Sequence, residues 1–153
     1  MTGCCISRGG QVNKMIKGVG QASIGRPVYN GELYIVDAIE PMLNQTFEDY
    51  ELVVSDNAST DGTESICREY LKRDSRIKYI RKESNTGAYD NYNSVFANSV
   101  GKYFKWASSN DYCAPTFLEK CVEVLEDRKD VVLCYPRTRL FQGDTSVATD
   151  YKD

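Results

Sequence analysis

Five short runs of strand-forming residues recur along this chain at nearly constant intervals. They are Ala22–Arg26, Glu51–Ser55, Ile77–Ile80, Tyr103–Ala107 and Val131–Tyr135, and their starts lie 29, 26, 26 and 28 residues apart. Two parallel neighbours in a sheet cannot be joined by a tight turn. They need a crossover of a dozen or more residues, usually a helix. Each interval has room for one such helix, so the spacing predicts an α/β chain with a mostly parallel sheet of alternating βα units.

The intervening segments carry helical periodicity. Ile35, Ala38, Ile39, Met42 and Leu43 fall on one helical face, with Asn30 as the expected N-cap. Pro41 should kink that helix or end it early, because proline removes a backbone donor. The second helix should open at Asp61-x-x-Glu64 and bury Ile66, Cys67, Tyr70 and Leu71. A third, weaker one spans residues 87–99, where Asn91, Asn93 and Asn98 are costly in a helix interior. The fourth begins at Pro115 and Thr116 and buries Phe117, Leu118, Cys121, Val122 and Leu125. Residues 1–21 read as a flexible leader, 22–142 as the folded domain and 143–153 as a frayed tail.

Composition narrows the chemistry. A chain of 153 residues with 41% hydrophobic and 27% charged residues is long enough for one domain with its own core. It contains no histidine, which excludes a Ser-His-Asp triad, a Cys-His dyad and any zinc site that needs an imidazole. The net charge of -3 argues against a nucleic-acid partner. None of the six cysteines forms a C-x-x-C pair, so they are expected to be reduced and mostly buried, in a cytoplasmic setting. No run of 18 apolar residues occurs.

Ligands of an open parallel sheet bind beyond the carboxyl ends of its strands. Four such ends carry carboxylates or amides: Pro27-Val28-Tyr29-Asn30-Gly31-Glu32, Ser55-Asp56-Asn57-Ala58-Ser59-Thr60-Asp61-Gly62-Thr63, Glu83-Ser84-Asn85-Thr86-Gly87 and Ser108-Ser109-Asn110-Asp111. Singly, each reads as a turn or a helix cap, and Asp61 reads as a cap above all. Together they converge on one edge. No glycine-rich phosphate cradle is present, so a bound diphosphate would rely on a metal held by carboxylate oxygens.

The order P-V-Y-N-G-E, S-D-N-A-S-T-D-G-T, N-T-G and K-W-A-S-S-N-D resembles family 2 glycosyltransferases of the GT-A fold, over roughly residues 22–135. The resemblance implies a Rossmann-like half that binds a nucleotide-sugar, commonly a UDP-sugar. It implies Mg²⁺ or Mn²⁺ as cofactor and sugar transfer to an acceptor, usually with inversion. It places Pro27 and Tyr29 on the base pocket and Asp56 on the base. Glu32, Asn85 and Gly87 line the donor site, Asn110 meets the ribose and Asp111 the metal. The family motif usually has two acids where this chain has Asn110 and Asp111. The family's acceptor region and general base lie beyond this length, so the 153 residues are expected to bind donor without turnover and to self-associate through an uncovered sheet face or edge; the expected setting is the cytoplasm, up to the cytoplasmic face of a membrane. The acceptor would be a polysaccharide, lipid or protein glycan. Two alternatives remain: a non-enzymatic half-domain that acts with a partner chain, and a nucleotidyltransferase. The latter would show a basic glycine-rich loop where Tyr29-Asn30-Gly31-Glu32 stands.

Overall fold

The computed structural model describes residues 6–8, 20–107 and 113–136, together with the backbone of 139–140 and 149–150. In chain order its elements are β1 (Ile6–Arg8), β2 (Ala22–Val28), α1 (Ile35–Leu43), β3 (Tyr50–Asp56), α2 (Thr63–Arg73), β4 (Ile77–Arg81), α3 (Ala88–Ala97), β5 (Tyr103–Trp106), α4 (Phe117–Asp127), β6 (Leu133–Cys134), β7 (Arg139–Leu140) and β8 (Thr149–Asp150). The main sheet has the order β4-β3-β2-β5-β1-β6. Four adjacent strands, β4, β3, β2 and β5, are parallel, as the interval arithmetic requires.

The far edge differs from the sequence reading. Ile6–Arg8, within the segment read as a leader, forms a strand antiparallel to β5 and to β6. It separates β6 from the parallel block, and Ile6 is fully buried. Three residues are too few to display a period, so only the partner strands reveal this one. Within the segment read as a tail, Thr149–Asp150 pairs with Arg139–Leu140 in a separate two-stranded sheet.

Strand alternation sends neighbouring residues to opposite faces. On one face, Ala22, Ile24, Leu52, Val54 and Tyr103 join the buried residues of α1, α2 and α4 in a large core. All five residues expected to be buried from α4 are buried, as are Ile35, Ala38, Ile39 and Met42 of α1. Leu71 of α2, expected inside, is 39% exposed. Helix α1 ends at Leu43, two residues after Pro41. Asn30 does not cap it, because Tyr34 occupies that position. Cys67, Cys113 and Cys121 are buried in this core, and burial raises the Cys67 thiol pKa to about 12.

The opposite face holds a much smaller core of Val53, Val95 and Phe104, with Ile80 against it. Helix α3 covers it on the way from β4 back to β5. Gly25 permits the close approach: a Cβ there would lie 2.8 Å from Val95 Cγ2 and 2.7 Å from Phe104 Cζ. No helix among the described residues is long and apolar enough to cross a membrane.

Candidate functional site

At the carboxyl edge, the loops after β2 and β3 grip each other. Asn30 N–H donates to Ser59 Oγ (2.9 Å), Gly31 N–H to Thr63 Oγ1 (2.8 Å) and Glu32 N–H to Asp61 Oδ2 (3.0 Å). In return Thr60 N–H donates to Asn30 Oδ1 (2.9 Å) and Gly62 N–H to the Glu32 carboxylate (2.9 Å). Asp61 also accepts from the N–H and hydroxyl of Thr63, which satisfies donors of the first turn of α2. Glu32 and Asp61 are thus occupied in joining the loops.

Asp56 is fully buried and lies on the large-core side of the edge. Its Oδ1 accepts from Ser59 N–H (2.8 Å) and Ser59 Oγ (2.6 Å). Its Oδ2 accepts from Tyr79 Oη (2.7 Å) and Arg81 Nη1 (2.6 Å). Burial by itself raises this carboxyl pKa, but the Ser59, Tyr79 and Arg81 hydrogen bonds outweigh burial and hold it below the ordinary range. Arg81 continues outward to Ser59 O and Glu64.

The other side of the edge carries a cleft of about 290 Å³ lined by Pro27, Val28, Tyr29, Asn57, Asn85, Gly87, Ala88, Asn91 and Tyr92. Asn57 Nδ2 donates to Asn85 Oδ1 (2.7 Å) and to Gly87 O (3.2 Å), and its Oδ1 accepts from Thr86 N–H (3.1 Å). Gly87 N–H closes the turn onto Asn85 Oδ1. Gly87 itself has φ +87°, in the region that favours glycine. Asn91 sits one helical turn before Val95, on the buried side of α3. Its Nδ2 donates to Val28 O and Ser55 O, and its Oδ1 accepts from Ser55 Oγ at 2.7 Å. The amide that weakens α3 as an isolated helix therefore ties it to the ends of β2 and β3.

Of the residues singled out in the sequence, the fold gathers Pro27, Tyr29, Asn85 and Gly87 around this cleft. Asp56 and Glu32 are turned elsewhere, and Asn110 and Asp111 lie outside the described residues. Asn57, Asn91 and Tyr92 were not anticipated. Strand parity carried a signal for Asn57: it follows Val53 and Ser55 onto the α3 face, whereas Asp56 follows Leu52 and Val54 into the large core. Among the described residues no three His, Cys, Asp or Glu side chains are grouped to hold a metal ion, and the cleft lining contains no carboxylate.

Comparison with known proteins fits this architecture. The description Glycosyl transferase family 2 matches residues 23–149. The chain belongs to that family. An uncharacterized glycosyltransferase of Haemophilus influenzae is 39% identical over 98 residues, covering 64% of this chain and 30% of that protein. The putative teichuronic acid biosynthesis glycosyltransferase TuaG of Bacillus subtilis is 34% identical over 106 residues, covering 69% of this chain and 42% of that protein. The crystal structure of S. aureus TarS 1-349 in complex with UDP-GlcNAc superposes with a TM-score of 0.65 at 26% identity, over 70% of this chain and 31% of that one. The chain thus spans about a third of the length of the curated relatives it matches. The fold is the α/β architecture of GT-A glycosyltransferases.

Proposed function

We propose that the cleft holds the base and ribose of a nucleotide-diphosphate sugar, with UDP-sugars as the donor class, and that the chain serves sugar transfer to a glycan acceptor. One observation carries this reading: a floor of amides from Asn57, Asn85 and Asn91, bordered by the Tyr29 and Tyr92 rings, at the carboxyl ends of parallel strands. Such a floor suits a planar heterocycle that both donates and accepts hydrogen bonds, and the rings offer faces to stack on it. Asn57, whose Oδ1 accepts from Thr86 N–H and, only at 3.4 Å, from Thr86 Oγ1, faces the base in this reading. Asp56 stands behind it as the buried anchor of the loop rather than as the base contact. Asn110 and Asp111 follow β5 in sequence. Asp111 is the proposed ligand of a Mg²⁺ or Mn²⁺ ion, which when bound would neutralise charge on the leaving diphosphate.

The chemistry proposed for the family member is a direct displacement with inversion: the acceptor hydroxyl attacks the anomeric carbon from the side opposite the diphosphate. The described cleft contributes donor recognition to that reaction, because its lining has no acid or base to take the hydroxyl proton. Calorimetry with UDP, alone, with Mn²⁺ and with EDTA, tests the reading. UDP should bind, and more tightly with Mn²⁺. Asn57→Ala should weaken binding by about 0.5–1.5 kcal/mol, while Asp61→Ala, corrected for folding, should leave it unchanged. Failure of UDP to bind under any of these conditions would overturn the assignment.

A further inference from the structure

Helix α3 presents an aromatic stripe to solvent. Tyr89, Tyr92 and Phe96 follow one another at three- and four-residue spacing, on one face of the helix, and are 79%, 38% and 41% exposed. Trp106, at the end of β5, extends the stripe and is 44% exposed. Its ring stacks on Phe96 with centroids 5.9 Å apart and planes 29° from parallel, and it stands edge-on to Phe104 at 4.8 Å. The indole N–H donates to Tyr92 O at 3.4 Å, a long contact. Large exposed rings held in place by their neighbours are costly unless something covers them. Tyr92 belongs both to this stripe and to the wall of the cleft, so the stripe begins where the proposed donor site ends.

We propose that the stripe is a docking platform for the sugar rings of an oligosaccharide acceptor, an inference that rests on the donor reading of the cleft. A pyranose has one face made of C–H groups with partial positive charge, and an aromatic ring has a negative face to receive it. The hydroxyls around the sugar's rim remain free for polar neighbours, and Asn93 is exposed on the same side of the helix, between Tyr89 and Phe96. From Tyr89 to Phe96 the helix advances roughly 10 Å, room for about two rings in line. Continuity with the cleft would bring such a glycan to the mouth of the donor site. A protein partner would equally cover apolar surface, so the test must separate the two.

Trp106 is the chain's one tryptophan, and its emission therefore reports directly on the stripe. Titrating chitotetraose and cellotetraose into the full chain should shift that emission saturably. Tyr89→Ala removes a highly exposed ring. It should weaken binding of the better ligand about five-fold while leaving UDP affinity and the melting temperature unchanged. Emission that ignores both oligosaccharides at tens of millimolar, with UDP binding intact, overturns the platform and leaves the donor cleft standing. Emission that responds to protein concentration instead, with a doubled mass in light scattering, also overturns it and assigns the stripe to a second copy of the chain. Saturable sugar binding in a chain that does not bind UDP removes the donor assignment and with it the acceptor role, and leaves the stripe as a glycan-binding surface alone.

Discussion

The two faces of the sheet are built from the same strands and have opposite characters. On one, three helices seal a core of some twenty buried residues, and the strand-end carboxylate, Asp56, is locked among four donors. On the other, a single helix covers three buried residues, the strand-end amides open onto a cleft, and aromatic rings face solvent. The first face supplies stability and fixes the shape of the edge. The second is more open, and it is the face to which the proposed donor cleft is assigned. Period-two alternation assigns each residue of a loop to one task or the other, which is why the adjacent Asp56 and Asn57 have such different surroundings.

This contrast can be broken most directly by cavities. Leu118→Ala, in the large core, should cost about 3–5 kcal/mol, and Val95→Ala, under α3, about 2 kcal/mol. Urea midpoints would read both; equal losses would mean that the two cores share one cooperative structure more evenly than their sizes imply.

Next in size is Asp56→Asn, expected to cost about 3 kcal/mol. That is the low end for breaking a buried ion pair, because Arg81 is partly exposed. Its pH signature follows from the lowered pKa. The folded carboxyl lies below its unfolded value, so its stabilisation is complete above about pH 4 and is lost as pH falls through the folded pKa. Glu126, lowered to about 2 chiefly by hydrogen bonds from Lys102, Tyr103 and Lys129, acts in the same direction. Urea unfolding between pH 7 and pH 3 should therefore show a steeper acid loss in the wild type than in Asp56→Asn. Parallel curves would remove Asp56 from this role.

Asn91→Ala sharpens the comparison from the cleft side. It removes one partner each from Val28 O, Ser55 O and the Ser55 hydroxyl, while Val28 O keeps Asn57 N–H and Ser55 Oγ keeps Ser94 Oγ, so it should cost about 1–2 kcal/mol of stability. It should also weaken UDP binding, because the floor of the cleft loses the clamp between α3 and two strands. Unchanged UDP affinity in the folded variant would show that the clamp is structural alone. The smallest effect expected is a gain. Ala58 has φ +60°, a conformation that costs a residue with a Cβ roughly 1–2 kcal/mol, whereas glycine forfeits about 0.5–1 kcal/mol in chain entropy. Ala58→Gly should stabilise by about 0.5–1 kcal/mol in thermal melts without changing ligand binding.

Much of this architecture was legible before any coordinates. Strand intervals reveal crossovers because a helix has a minimum length, and apolar periodicity reveals α1 and α4 because burial selects one face. Both are local properties. Less legible was α3, whose asparagines weaken the helical reading until Asn91 is seen to donate to Val28 O and Ser55 O and to accept from Ser55 Oγ. The candidate site was half legible. The convergence of polar loops on one edge is a consequence of parallel topology, and Pro27, Tyr29, Asn85 and Gly87 do meet there. Which acids are free was not readable, since Glu32 looks available until it is found holding the neighbouring loop, and Asp56 until it is found buried among four donors.

The sequence alone determined the βα alternation, the parallel block and the edge where a ligand would bind, all of which depend on spacing along the chain. Tertiary structure decided what depends on residues far apart: the insertion of Ile6–Arg8 beside β5, and the burial of Arg26 and Lys105 on the large-core side of the sheet. It also decided the assignment of Asp56 to the interior and Asn57 to the cleft wall. The physical reason is that hydrogen-bond partners and solvent exposure are set by what packs against a residue. In this fold those partners are often some 30 positions away, one crossover along the chain.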